Sequence, residues 1–259
     1  WHLSGPAGFY YLTGWPDRGP VPPHNAITDN IAPWYTATAV LAAVDYHRRT
    51  GRGLYIDQSQ LEASLSFLST ALLDYTVNGN VQGRRGNASE RAAPHGVYPC
   101  TGNDRWCAIT VYTDEEWRSL CQVVGSPLLT TDQRFSTLEE RNRHRGELDS
   151  MVAAWTARHA AEDVMNTLQA AGVPAGVVQN AEDIVDKDPQ LRHWEMLPIR
   201  EHPELGAALH AGWPVHFSDG LVDVRAAPCL GEHTEYVCRE LLGMSDGEFM
   251  EFINSGASE

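Results

Sequence analysis

Residues 27–53 read ITDNIAPWYTATAVLAAVDYHRRTGRG, and this segment has the pattern of one long helix. Asp29 or Asn30 is placed to cap the first backbone amides, and Pro33 suits a first turn, where its missing N–H costs no hydrogen bond. Arginines follow in the last turn, where they oppose the helix dipole, and Gly51 is a residue type that ends helices. We predict a helix over about 30–50 with a carboxylate at its N-terminus.

The carboxylate of Asp29 has two interpretations. As a helix N-cap it would stabilise the fold by about 1 kcal/mol and need no further role. At the positive end of a helix dipole it could instead act as a nucleophile. The local residues favour the cap, so only the rest of the chain can change that balance.

Composition limits the kinds of partner. The chain has 259 residues, of which 42% are hydrophobic and 20% charged, as in globular proteins of one large or two modest domains. The formal net charge of −15 argues against nucleic acid, because binding phosphates needs clustered positive charge. With no membrane-length apolar run and no signal peptide, we expect no membrane partner and a cytoplasmic location. Because the chain begins at Trp1 and not at Met, we expect a fragment, a processed product or an excised domain.

Residue types also limit the chemistry. The five cysteines form no CxxC pair and the eleven histidines form no HExxH motif. We therefore expect reduced thiols and no metal site. Lys187 is the only lysine, which nearly excludes Schiff-base chemistry.

Downstream of the long helix, residues 54–57 predict a short strand, and a second helix begins at Ser59. Apolar side chains surround most of that helix, so we expect it to be well buried. Helix, turn, strand and helix in succession are typical of an α/β layer. The polar, glycine-marked segment after Val77 is the best candidate for a domain boundary.

The second half of the chain predicts a different set of elements. Residues 97–100 and 105–111 predict a β-hairpin, and Thr113 with Glu116 predicts a capping box on the next helix. Segment 131–145 is charged and expected to be exposed, with Phe135 as an anchor. Two helices are expected over about 146–157 and 160–171, followed by short strands, turns and two C-terminal helices starting near residues 234 and 245.

Several motifs occur in a fixed order along the chain. Asp29 precedes an alanine-rich helix, TGRG at 50–53 and Asp57. They are followed by PHGVYP at 94–99, DQRF at 132–135, NR at 142–143, AGVPAG at 171–176 and APCLGEHT at 227–234. Each motif alone is weak, but in this order the chain resembles the class III CoA-transferase family.

The resemblance implies a reaction. It makes Asp29 the nucleophile of an acyl-CoA:carboxylate CoA-transferase, which works through an aspartyl mixed anhydride and an aspartyl-CoA thioester. Free amides at the helix N-terminus would then bind the oxyanions. Acyl-CoA and a carboxylic acid acceptor would be substrates, and no cofactor would be bound permanently.

The resemblance also implies a fold of the α/β class. It consists of a Rossmann-like large domain, only partly present here, with a smaller α/β domain inserted. Residues 1–80 would belong to the large domain, 81–94 to a linker, 95–180 to the small domain, and 181–259 to a linker and the return to the large domain. Because only 28 residues precede Asp29, we expect an interlocked homodimer or an assembly with a chain that supplies the missing N-terminal segment.

Other site residues are expected on the same basis, each with a structural alternative. Candidates for binding CoA are Arg49, Arg52 and His95, and candidates for the substrate pocket are Tyr10, Tyr11 and Trp34. The arginines could simply oppose the helix dipole, His95 could face solvent, and the aromatic residues could pack in the core or against a partner subunit.

Two other functions stay open at this stage. In α-methylacyl-CoA racemases, which are related to this family, a glutamate takes part in proton transfer, and its position falls near Thr113. Alternatively, the chain could be a non-catalytic subunit in which Asp29 is only a cap.

Overall fold

The computed structural model describes residues 3–22, 25–220 and 224–256. The chain divides into two compact units, Trp1–Val178 and Gln179–Glu259. The domain boundaries expected from the sequence stay predictions.

The first part of unit 1 is helical. Its elements are α1 (Phe9–Leu12), α2 (Ile27–Thr50), α3 (Gln60–Leu65), a 3₁₀ turn (Ser66–Leu68) and α4 (Ser69–Asn78). A small core holds them together, because α3 packs its leucines against the N-terminal half of α2. This core contains Ala7, Phe9 and Ile31, with Tyr10, Ile27, Leu61, Leu65 and Leu68 packed around them.

The long helix is present, but its N-terminus differs from the prediction. Ala26 is the N-cap residue and makes no side-chain cap, so Asp29 is the third residue of α2. The expected cap at Asp29 or Asn30 is therefore wrong, and Pro33 lies inside the helix instead of in its first turn. The predicted C-terminus is confirmed: Gly51 adopts a left-handed conformation, and its N–H donates to the His47 carbonyl.

The strand predicted at 54–57 and the burial predicted for the following helix are both wrong. Residues 54–57 do not form a strand, and Tyr55 is 92% exposed. A strand exists only where a neighbour completes its hydrogen bonds, and the described residues place none beside this segment. Phe67 in the 3₁₀ turn and Leu72 and Leu73 on α4 are exposed, because no described element packs over them.

The second part of unit 1 is a three-stranded antiparallel sheet covered by helices. The strands are β1 (His95–Pro99), β2 (Trp106–Thr110) and β3 (Ala175–Val177), in the order β1-β2-β3. Tyr98 lies opposite Cys107, and Cys107 lies opposite Val177. This arrangement confirms the predicted hairpin. The helices are α5 (Asp114–Val123), α6 (Leu138–Arg143), α7 (Arg145–Thr156) and α8 (Ala161–Ala170).

The core of this part lies between the sheet and the helices. Buried members include Ile109, Trp117, Phe135, Leu148 and Leu168. The capping box on α5 and the buried Phe135 are both confirmed. The segment around Phe135 is not uniformly exposed as predicted, because Arg141 is completely buried.

Unit 2 contains a hairpin and short helices. Its elements are a π-helical turn (Asp183–Lys187), α9 (Pro189–His193), β4 (Ile199–His202), β5 (Gly206–Leu209), α10 (Thr234–Tyr236), a second π-helical turn (Val237–Leu241) and α11 (Asp246–Asn254). β4 and β5 are antiparallel. The described residues thus contain antiparallel sheets, and the parallel sheet of a Rossmann-like domain is not among them. None of the described helices is both long and apolar enough to span a bilayer.

Candidate active site

The carboxylate of Asp29 lies where α2 and α3 meet. Ile31 and the leucines of α3 hold the two helices together. Ser59 fixes the start of α3, because its Oγ accepts a hydrogen bond of 3.2 Å from the Glu62 N–H. The first residue of α3, Gln60, is thereby placed next to Asp29.

One glutamine amide contacts the carboxylate, and a second glutamine binds the first turns of α2. Gln60 Nε2 donates to Asp29 Oδ1 and also, at 3.0 Å, to Thr28 Oγ1. Gln58 Nε2 donates to the Ala32 carbonyl at 3.0 Å, and Thr36 Oγ1 donates to Gln58 Oε1 at 2.9 Å. These bonds tie the segment before α3 to the first turns of α2.

Asp29 opens onto a surface depression of about 650 Å³. Its lining is formed by Asp29, Ala32, Pro33, Thr36, Ala37, Gln58 and Gln60. Because Pro33 has no N–H, it cannot make the helical hydrogen bond to the Asp29 carbonyl four residues earlier. Among the described residues no cationic side chain forms an ion pair with Asp29. The carboxylate is therefore accessible and held only by a neutral donor.

The amides at the start of α2 are mostly engaged. The Ala26 N–H donates to Asn25 Oδ1 at 2.7 Å, and the Ile27 N–H donates to the Asn25 carbonyl at 3.1 Å. The Asp29 N–H donates to the Ala26 carbonyl at 2.9 Å. The helix dipole still favours negative charge here, but these three amides are not free to bind an oxyanion as the sequence suggested.

The predicted CoA-binding arginines lie far from Asp29. Arg49 forms an ion pair of 2.9 Å with Asp45 at the other end of α2. Twenty residues of helix separate Arg49 from Asp29, roughly 30 Å at 1.5 Å per residue. Arg52 follows the end of the helix, where its N–H donates to Thr50 Oγ1. Trp34 is exposed on α2 and does not line the depression.

The other predicted residues lie in two further places. Tyr10 packs against the small helical core, and the Tyr11 ring lies 5.7 Å from the Arg84 guanidinium. His95 lines a separate cavity of about 480 Å³, where its Nδ1 is 2.5 Å from the Asn87 carbonyl. Tyr11 and His95 therefore do not lie beside Asp29, whereas Tyr10 packs in the core between α2 and α3 without lining the depression.

The cavity beside His95 contains a buried polar pair. Tyr98 Oη donates to Asp149 Oδ1 at 2.6 Å. Burial raises the pKa of the Asp149 carboxyl, and burial together with the neighbouring carboxylate raises the pKa of Tyr98. The two side chains are hydrogen-bonded to each other across the interface of β1 and α7, which is typical of a structural contact.

Sequence reasoning missed Gln60. The one local hint was that Gln58, Ser59 and Gln60 follow a segment predicted as a strand ending at Asp57, a strand that the structure does not contain. In α/β folds, ligand-contacting residues often follow the carboxyl ends of strands. The contact with Asp29 itself spans 31 residues and needs the packing of α3 on α2.

No group of three metal-ligating side chains that could hold an ion is found among the described residues. All five cysteines are free thiols, and none of them lines the depression at Asp29.

The chain is similar to a known protein family and to several named proteins. The model of CoA-transferase family III matches residues 3–234. A succinyl-CoA–D-citramalate CoA-transferase of Chloroflexus aurantiacus is 30% identical over 93% of this chain and 60% of its own length. A probable CoA-transferase of Mycobacterium tuberculosis is 34% identical over 92% of this chain and 30% of its own length.

A solved structure is similar throughout. A CaiB/BaiF family protein of Brucella suis aligns with a TM-score of 0.83 at 27% identity, and covers 92% of this chain and 61% of the other. The chain thus spans about 60% of the length of the Chloroflexus relative and of this structure. A family match over nearly the whole chain, together with this structural similarity, shows that the chain belongs to CoA-transferase family III.

Proposed function

We propose that the protein transfers CoA from an acyl-CoA to a carboxylic acid, with Asp29 as the nucleophile. The observation that carries this proposal is an accessible carboxylate, near the positive end of α2, that opens onto a depression and is held by the neutral amide of Gln60. Family membership supplies the reaction class. Acyl-CoA and the acceptor acid are substrates, and the proposal requires no permanently bound cofactor.

The reaction is an exchange between activated acyl groups. A carboxylate oxygen of Asp29 attacks the thioester carbonyl, the C–S bond breaks and CoA thiolate leaves, which gives a mixed anhydride. The thiolate attacks the aspartyl carbon, releases the donor acid and forms aspartyl-CoA. The acceptor carboxylate then attacks this thioester, and the returning thiolate takes the acceptor acyl group and frees Asp29.

The test is Asp29→Asn with succinyl-CoA as the first donor, because the Chloroflexus relative is named for that donor. We expect CoA exchange into a carboxylic acid to fall by more than about a thousandfold. Hydroxylamine added during turnover should convert Asp29 into a hydroxamate, detected by peptide mass spectrometry. The matched control is Asp45→Asn, an exposed acid near the other end of the same helix. Undiminished exchange in Asp29→Asn would refute the proposed nucleophile.

The racemase alternative receives no support from two of the three acids next to Thr113, and the third, Glu115, is exposed. Glu116 accepts the Tyr112 and Thr113 amides, and Asp114 pairs with Arg141 at 2.9 Å. Both acids therefore have structural partners. Deuterium exchange at the α-carbon of an acyl-CoA without acyl transfer would favour the racemase instead.

Assembly is also part of the proposal. Since Arg49 and Arg52 lie far from Asp29, we propose that other CoA contacts come from residues beyond this chain or from a partner subunit. The interlocked homodimer and the cytoplasmic location stay predictions. Light scattering of the purified chain, with and without succinyl-CoA, measures whether it forms a homodimer.

A further inference from the structure

We infer that Gln60 is a catalytic hydrogen-bond donor, which stabilises the oxyanion that forms on Asp29 when CoA thiolate or the acceptor acid attacks the aspartyl carbon. This inference rests on the proposed role of Asp29 as nucleophile. It assigns a function to a contact that joins two helices across 31 residues of chain.

The position of the Gln60 amide is fixed at both ends. Its Nε2 donates to Thr28 Oγ1 at 3.0 Å, and Thr28 is only 1% exposed. Its backbone carbonyl accepts from Ser64 Oγ at 2.8 Å, and Ser59 caps the helix that it begins. A carboxylate can only accept hydrogen bonds, so the amide nitrogen and not its oxygen must face Asp29. The donor is therefore preorganised.

The contact distinguishes the two carboxylate oxygens. Oδ1 accepts from Gln60, whereas Oδ2 has no hydrogen-bond partner among the described residues. A hydrogen bond draws electron density from the oxygen that accepts it, so Oδ2 is the better nucleophile. When Oδ2 bonds to the acyl carbon and the thioester C–S bond breaks, Oδ1 becomes the carbonyl oxygen of the anhydride.

The donor then acts in the next step. CoA thiolate attacks Cγ of Asp29, and the carbonyl electron pair moves onto Oδ1, which becomes an oxyanion facing Gln60 Nε2. The tetrahedral intermediate collapses with cleavage of the Cγ–Oδ2 bond and release of the donor acid. A hydrogen bond to an oxyanion is stronger than one to a neutral carbonyl, so the contact favours the transition state over the anhydride.

A neutral donor suits both states of Asp29. A lysine or arginine at this position would stabilise the free carboxylate strongly and oppose its conversion into an uncharged anhydride or thioester. The interaction energy of a neutral amide with Asp29 decreases less than that of a cation when the carboxylate loses its charge. The lack of an ion pair at Asp29 among the described side chains fits this requirement.

The experiment follows adduct formation on the full chain. Succinyl-CoA is mixed with the protein, quenched over time, and the mass of the Asp29 peptide is read for acyl and CoA adducts. In Gln60→Met we expect aspartyl-CoA to appear at least about tenfold more slowly, while CoA release in the first acylation changes less than threefold. Gln60→Glu, which replaces the donor by an acceptor, should slow the same step.

The matched control is Gln82→Met. Gln82 Nε2 also donates to a carboxylate, Asp74 Oδ2 at 3.0 Å, but away from the depression. Circular dichroism and urea unfolding establish that every variant folds. If the unsubstituted chain forms adducts at Asp29 and Gln60→Met forms aspartyl-CoA equally fast, the inference alone is overturned. If the unsubstituted chain transfers CoA to a carboxylic acid but forms no adduct at Asp29, the proposed nucleophile is overturned together with it.

Discussion

At the scale of single residues, Arg141 shows how a charge is buried in this fold. Its Nε donates to the Ala93 carbonyl at 3.0 Å, its Nη1 to the Phe135 carbonyl at 3.2 Å, and its Nη2 to Asp114 Oδ1 at 2.9 Å. Its guanidinium also lies 5.3 Å from the centre of the Trp117 ring. One side chain thus connects the segment before β1 with α5 and α6.

We predict that Arg141→Ala lowers the free energy of unfolding by about 3–5 kcal/mol, because two buried carbonyls lose their donor and a cavity is left. Arg141→Lys should recover only part of this loss, since an ammonium cannot reproduce the guanidinium fork. Urea unfolding followed by circular dichroism measures both. Arg143→Ala is the control: Arg143 is exposed, so its pairs with Glu139 and Glu140 should contribute less than about 1 kcal/mol. Equal losses at 141 and 143 would contradict this account.

The Tyr98–Asp149 pair predicts a pH dependence of stability. Burial raises the native pKa of Asp149 above its ordinary value of 3.8, against the opposing effects of the Tyr98 hydrogen bond, Arg145 and His95. Protonated Asp149 therefore contributes its full share to the free energy of unfolding below pH 3.8, and this contribution is lost as pH rises through the native pKa. We expect Asp149→Asn, which cannot ionise, to gain stability relative to the unsubstituted chain between about pH 4 and 7, measured by urea unfolding at each pH.

Asp188 provides the control with the opposite sign. Hydrogen bonds from Gln179 and from the Leu191 and Gln190 amides lower the pKa of its carboxyl. Ionised Asp188 therefore contributes to the free energy of unfolding above its ordinary pKa of 3.8, and this contribution is lost as pH falls through the native pKa. The loss of unfolding free energy in Asp188→Asn should therefore increase as pH rises. Identical pH profiles for the two variants would contradict both assignments.

Residue roles could be predicted from the sequence only where the signal was local. Asp29 stands out because a helix pattern and a family motif surround it, and the structure leaves its catalytic role a prediction. Arg141 lies among other charged residues, and nothing in that segment shows that it alone turns inward. Gln60 acquires its contact from tertiary packing, which a pattern of neighbours along the chain cannot contain.

At the scale of elements, local signals predicted most of what formed. The α5 capping box is an example: Thr113 Oγ1 accepts from the Glu116 N–H at 3.1 Å, and Glu116 Oε2 accepts from the Thr113 N–H at 3.1 Å. We predict that Thr113→Ala costs about 1 kcal/mol of unfolding free energy. Thr167→Ala, in the middle of α8, is the control and should be neutral or slightly stabilising, because alanine is the better helix former. Thermal or urea unfolding compares them, and equal effects would show that the cap contributes nothing.

Elements that depend on distant partners were predicted less well. The β1–β2 hairpin needs only a turn and two adjacent strands, and it formed in the expected place. Residues 54–57 have the composition of a strand, but a strand must also find a neighbour. The start of α2 was misplaced because Ala26, a poor cap, is the N-cap residue, with only Asn25 beside it to bind the first amides.

At the scale of the whole molecule, unit 2 and the helical part of unit 1 both expose many apolar side chains, and those of unit 1 bear on the site. They occur on α2, on residues 54–56 and on α4, and include Trp34, Leu41, Val44, Leu54, Tyr55, Leu73 and Val77. Clusters of this kind on globular proteins usually mark contact surfaces. The chain spans about 60% of the length of its Chloroflexus relative. In a relative of that length, additional residues are present that could pack against the exposed side chains of α2 and α4.

This exposure predicts which substitutions on α2 are tolerated. Leu41 is 70% exposed, whereas Ile31 on the same helix is buried in the small core. We expect Leu41→Lys to change the unfolding free energy of the chain by less than about 0.5 kcal/mol and to reduce the binding of an apolar fluorescent dye. Ile31→Lys should cost more than about 2 kcal/mol, because it buries a charge beside Phe9. Urea unfolding at two protein concentrations measures both. A loss at Leu41 that matches Ile31 and grows with concentration would mean that copies of the chain cover this face in solution.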